Sequence, residues 1–92
     1  MTSSAERRVR IVNTRGLHAR AAAKICETAG SYTSKITIAK QGQSVGARSL
    51  MALLMLGAGK GTDILVRAEG ADAEGAVGAI VSLVEAGFHE TD

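Results

Sequence analysis

The sequence predicts an α+β fold: a four-stranded antiparallel sheet covered on one face by helices, in the order βαββαβα. Three observations predict it. Four short stretches alternate apolar and polar residues, and three others repeat apolar residues at helical spacing. Strands also outnumber what one helix could cover, so an open-faced sandwich with three helices on one side is the economical packing. Ninety-two residues hold a single core, and residues 1–92 form one domain.

The first element is a strand over Arg8 to Asn13, with Val9 and Ile11 on one face. Residues 1–6 precede it without an apolar run, which predicts a frayed end with neither a signal peptide nor a membrane span. Ala22, Ile25, Cys26 and Ala29 then mark a helix headed by His18, with Gly30 where it would stop. Thr33 to Lys40 alternate, with Ile36 and Ile38 inward, and Gln41-Gly42 turns the chain into a weak third strand, Gln43 to Ala47. Ser49 precedes a short helix from Leu50 to Leu56 that Gly57 closes. Thr62 to Ala68 form the last strand, with Ile64 and Val66 inward. Val77, Ile80, Val81, Val84 and Phe88 then repeat along a final helix behind Asp72 as its cap. Gly75 and Gly78 cost that helix about 1 kcal/mol each, so packing must hold it.

Composition excludes several functions. Tyr32 and Phe88 are the only aromatic residues, too few for a stacking platform, and a net charge of +2 is slight for a nucleic-acid binder. A single cysteine forms no internal disulfide, which fits a reducing cytoplasm. His18, His89 and Cys26 lack paired spacing, so neither a metal nor another cofactor is expected.

The chemistry gathers in Gly16-Leu17-His18-Ala19-Arg20-Ala21. A glycine turn delivers a histidine to the first turn of a helix, where amides without internal acceptors favour anions. A neutral imidazole is a nucleophile near pH 7, and an arginine two residues on can fork onto phosphate oxygens. Together they point to a protein that carries a phosphoryl group. No residue beside His18 reads as a base that would activate water against that cargo. The segment Leu50 to Leu56 is apolar almost all round: Leu53 and Leu56 can face the core while Met51, Leu54 and Met55 point elsewhere, and the methionines suit an adaptable docking patch.

These two segments, with Ser49-Leu50-Met51 opening the second and Leu56-Gly57 closing it, resemble HPr, the histidine phosphocarrier family of the bacterial phosphoenolpyruvate-dependent phosphotransferase system. The resemblance runs from about Val9 to Phe88 and implies the same open-faced sandwich. It makes His18 the residue phosphorylated through Nδ1, Arg20 the stabilising arginine, and the backbone of Ala19, Arg20 and Ala21 the phosphate cradle. Ser49 would be the serine that some bacteria phosphorylate through an HPr kinase/phosphorylase, and Leu50, Met51, Leu54 and Met55 the docking surface for enzyme I and enzyme IIA. The family commonly has proline where this chain has Ala21, which bears on how rigidly the His18 loop is held.

The implied function is a cytoplasmic, monomeric carrier, with a phosphohistidine intermediate and no stand-alone enzyme activity. It would serve sugar uptake or a nitrogen-related regulatory branch, with the His-Ala-Arg wording leaning to the second. The alternative is an HPr-like regulatory binding module controlled through Ser49 without net phosphoryl carriage.

Overall fold

A computed structural model describes residues 3–90. Its elements are β1 (Ser4–Arg10), α1 (Ala19–Gly30), β2 (Lys35–Lys40), β3 (Gln43–Gly46), α2 (Leu50–Met55), β4 (Asp63–Glu69) and α3 (Ala73–Glu85), followed by a single 3-10 turn at Gly87–His89. The predicted order βαββαβα is the observed one. The strands form one antiparallel sheet in the order β1-β4-β2-β3.

Side chains alternate across a strand, so one face of the sheet collects Val9 from β1, Ile36 and Ile38 from β2, and Ile64, Val66 and Ala68 from β4, all buried. Against it pack Ala21, Ala22, Ile25 and Ala29 of α1, Leu53 of α2, and Ala73, Ala76, Val77, Ile80, Val81 and Val84 of α3. Six buried residues in thirteen hold α3 despite its two glycines.

β1 begins at Ser4, not Arg8. Ser4, Ala5 and Glu6 pair with Glu69, Ala68 and Arg67, so the fraying expected through residue 6 does not extend to them; residues 1 and 2 lie outside the described residues. Arg7 falls on the Ala5–Val9 face of this edge strand, and that charge interrupts the apolar alternation from which a strand is read. At its other end β1 stops at Arg10, and the chain continues beside the 61–62 loop. There the Ile11 N–H donates to Thr62 O at 2.9 Å, and the Gly61 N–H donates to Ile11 O at 2.7 Å.

Asp72 occupies the N-cap position of α3 but makes no cap with its side chain. Its carboxylate instead accepts from the N–H groups of Thr33 at 2.8 Å and Ser34 at 2.9 Å, and from both their hydroxyls. The Ser34 hydroxyl and then the Thr33 amide hold this carboxyl down at about 2. Asp72 therefore ties α3 to the start of β2, a partnership that capping rules do not reveal. Cations close two other helix ends. Lys40 Nζ donates to Leu56 O at 3.0 Å and Gly57 O at 3.3 Å, and the Arg48 guanidinium donates to Ala29 O, Tyr32 O and Ser34 O.

Phe88 is fully buried as expected, yet it is not on the final helix. α3 stops at Glu85, and Gly87, Phe88 and His89 follow with φ of +63°, +56° and +60°. This left-handed turn swings the Phe88 ring into the core; a continued helix would have placed it by periodicity alone. Among the described residues, no helix is long and apolar enough to cross a membrane.

Candidate functional site

Backbone geometry at residues 13–17 sets the site. The Gly16 N–H donates to Asn13 O at 3.1 Å, and the next amide, Leu17 N–H, donates to Ala58 O at 2.9 Å. Gly16 has φ +64°, and a Cβ there would lie 2.8 Å from both Ala58 O and Gly59 Cα. Only glycine permits this approach, which presses the turn against the 58–59 loop. Buried Leu17 anchors the next step, and His18 emerges as the N-cap of α1 in an extended conformation.

The first bond of α1 runs from the Ala22 N–H to His18 O at 2.9 Å, so the amides of Ala19, Arg20 and Ala21 have no helical acceptor. One of them, the Arg20 N–H, donates to His18 Nδ1 at 3.3 Å. The residues expected to cradle phosphate are thus grouped at one helix end around the histidine. Ala19 and Arg20 are exposed, while the Ala21 side chain is buried in the core. Among the described residues, the Arg20 guanidinium has no hydrogen-bond partner, and the side chain is exposed.

The other ring nitrogen has a partner that sequence reasoning missed. His18 Nε2 contacts Glu90 Oε2, with the two side chains 19% and 11% exposed. Glu90 Oε1 accepts from Asn13 Nδ2 at 2.9 Å, and the same amide nitrogen donates to Gly16 O at 2.8 Å. The His18 contact, then the Asn13 bond, and further off the charge of Arg15, hold the Glu90 carboxyl below the usual carboxylate range. Asn13 Oδ1 is buried without a partner, which costs about 1–3 kcal/mol. Nothing in local spacing announces Glu90, which lies 72 positions from His18. Its only sign is an acidic residue two positions past the last core side chain.

Along α2, Leu50, Met51 and Met55 are 43%, 68% and 72% exposed, whereas Leu54 is partly buried against the core and contributes less surface than expected. Leu53 and Leu56 face inward as expected. Ser49 is exposed and caps the helix, its Oγ accepting from the Ala52 N–H at 3.3 Å. α2 packs beside α1, the helix that starts at the histidine. Cys26 is half-buried against the core, and that burial pushes its thiol up.

Residues 5–86 match the family described as the PTS HPr component phosphorylation site. The chain belongs to the HPr family. It is 44% identical over 85 residues to the phosphocarrier protein NPr of Shewanella violacea, covering 92% of this chain and 93% of that one. It is 36% identical to the phosphocarrier protein HPr of Cupriavidus necator, with 92% and 96% covered. Among solved structures, HPr-C-His from Thermoanaerobacter tengcongensis superposes with a TM-score of 0.91 at 39% identity, covering 96% of this chain and 99% of that one. The HPr fold is therefore shown in both sequence and structure, and with it the general phosphocarrier role.

Proposed function

We propose that His18 accepts a phosphoryl group on Nδ1 from phospho-enzyme I and passes it to an enzyme IIA, as a cytoplasmic carrier. The observation that carries this reading is the setting of Nδ1. It faces the free amides at the start of α1 and accepts a hydrogen bond, so it presents a lone pair there. Phosphoryl transfer depends chiefly on positioning and charge stabilisation, and this end of the molecule supplies both.

The lone pair of Nδ1 forms the bond to phosphorus, while the donor's bond to phosphorus breaks and its electron pair stays with the donor. Once Nδ1 is occupied, the Arg20 amide turns from the ring nitrogen to a phosphoryl oxygen, joined by the amides of Ala19 and Ala21. The free Arg20 guanidinium forks onto two of the oxygens, and the exposed charge of Arg15 adds to the field. Delivery reverses these steps. The exposed side chains Leu50, Met51 and Met55 form the surface against which enzyme I and enzyme IIA dock in turn. Ser49 is accessible at the edge of that surface, and a phosphate on it would repel acidic partners, which makes it the regulatory position.

The test is incubation with phosphoenolpyruvate and enzyme I from the same organism. Acid-labile phosphate that is absent in His18→Ala is the expected result, and an unlabelled wild type overturns the reading. Presenting the labelled protein to enzyme IIA of the sugar-uptake and nitrogen-related branches then identifies the acceptor.

A further inference from the structure

Two local costs converge on Glu90. Phe88 and His89 sit at positive φ although neither is glycine, and Asn13 leaves its buried Oδ1 without a partner. Both conformations are held by specific contacts. The Phe88 ring is fully buried, Lys24 Nζ donates to Phe88 O, and the amides of His89 and Glu90 donate to Ala86 O and Gly87 O at 3.1 Å each. Asn13 cannot turn its amide over, because Nδ2 serves a carbonyl and a carboxylate at once. What the two arrangements have in common is their product: the Glu90 carboxylate lies on the Nε2 edge of His18, opposite the edge that faces α1.

A carboxylate accepts and does not donate, so its contact with Nε2 requires the proton to be on that nitrogen. Nδ1, which receives the Arg20 N–H, then holds the lone pair. We propose that Glu90 is a positioning residue for phosphoryl carriage: its side chain, oriented by Asn13, holds the Nε2 proton of His18 through the whole transfer cycle. The proposal rests on the carrier function assigned to His18 above. When Nδ1 forms its bond to phosphorus, the Nε2 proton stays and the ring becomes cationic; the adjacent carboxylate balances that charge. On delivery the N–P bond breaks, the electron pair returns to Nδ1, and the ring leaves as neutral imidazole, not as an imidazolate. A carboxylate that orients an imidazole through its second nitrogen plays the same part beside metal-bound histidines and serine nucleophiles.

Glu90→Gln in the full chain tests this, because glutamine keeps the shape and an acceptor oxygen but removes the charge. Single-turnover transfer from saturating phospho-enzyme I is expected to slow about tenfold, the difference between a charge-assisted and a neutral hydrogen bond, with little change in KM. In imidazole NMR of the unphosphorylated protein, the wild type is expected to show an exchange-protected, downfield Nε2 proton that Glu90→Gln loses. A purely structural role for Glu90 would leave that proton signal and the saturated rate unchanged, and that result overturns the proposal. A wild type that takes no phosphate overturns the carrier reading and this proposal together, whereas equal rates in the two proteins overturn this proposal alone.

Discussion

At position 16 the absence of a side chain sets where His18 lies. A Cβ on Gly16 would meet backbone atoms of Ala58 and Gly59 at 2.8 Å, and backbone cannot swing aside as a flexible side chain can. Gly16→Ala is therefore expected to lower stability by about 1–3 kcal/mol from its positive φ, with the clash in addition, and to displace His18. Urea unfolding measures the first effect and phosphate uptake the second. Asp72 illustrates a different residue-scale control. Its carboxyl is held at about 2 in the folded protein against an ordinary 3.8, so the folded state favours the ionised form. The resulting stability is fully present above about pH 4 and is lost as pH falls through 2. Asp72→Ala is expected to lower the melting temperature at neutral pH and to flatten the acid limb of the stability–pH curve, which thermal unfolding between pH 2 and 6 would show.

Among the elements, those with a clean apolar period are the ones legible in the sequence. β2, β4 and α3 carry Ile36, Ile38, Ile64, Val66, Ile80 and Val84 at the spacing their geometry requires, and all six are buried. β1 is harder because Arg7 interrupts the face that Ala5 and Val9 share, while Ser4, Glu6, Arg8 and Arg10 line the other. The half of the candidate site at the start of α1 is legible for a related reason: Gly16, His18 and Arg20 alternate within one short segment, and residues that close in sequence can be read from order. The half supplied by Glu90 is not, since only the tertiary path through Phe88 brings it there. α3 carries its glycines without structural need at position 78, where a Cβ would meet nothing within 4 Å. Gly78→Ala should stabilise the protein by about 0.5–1 kcal/mol, read from the shift in urea midpoint. On α2, replacing Met51 and Met55 together by serine should leave stability within about 0.5 kcal/mol, since both are exposed. The same change should raise KM for enzyme I several-fold if these side chains dock, and steady-state phosphorylation kinetics would show it.

Across the whole molecule, the two ends of the chain are drawn to the same few elements. β1, at the N-terminal end, has β4 as its strand partner, and α3 packs on both of them before the chain turns back toward α1. The partnership between residues 4–10 and 63–69 has a consequence during synthesis. As the chain is made, β1 emerges without this neighbour and must wait until residues 63–69 have followed before the β4 backbone can receive it. The intervening hairpin of β2 and β3 can form early, but β4 must insert between that hairpin and the waiting strand to complete the sheet. Nascent chains arrested before residue 63 should therefore be digested readily by protease, and chains released beyond residue 90 should resist it.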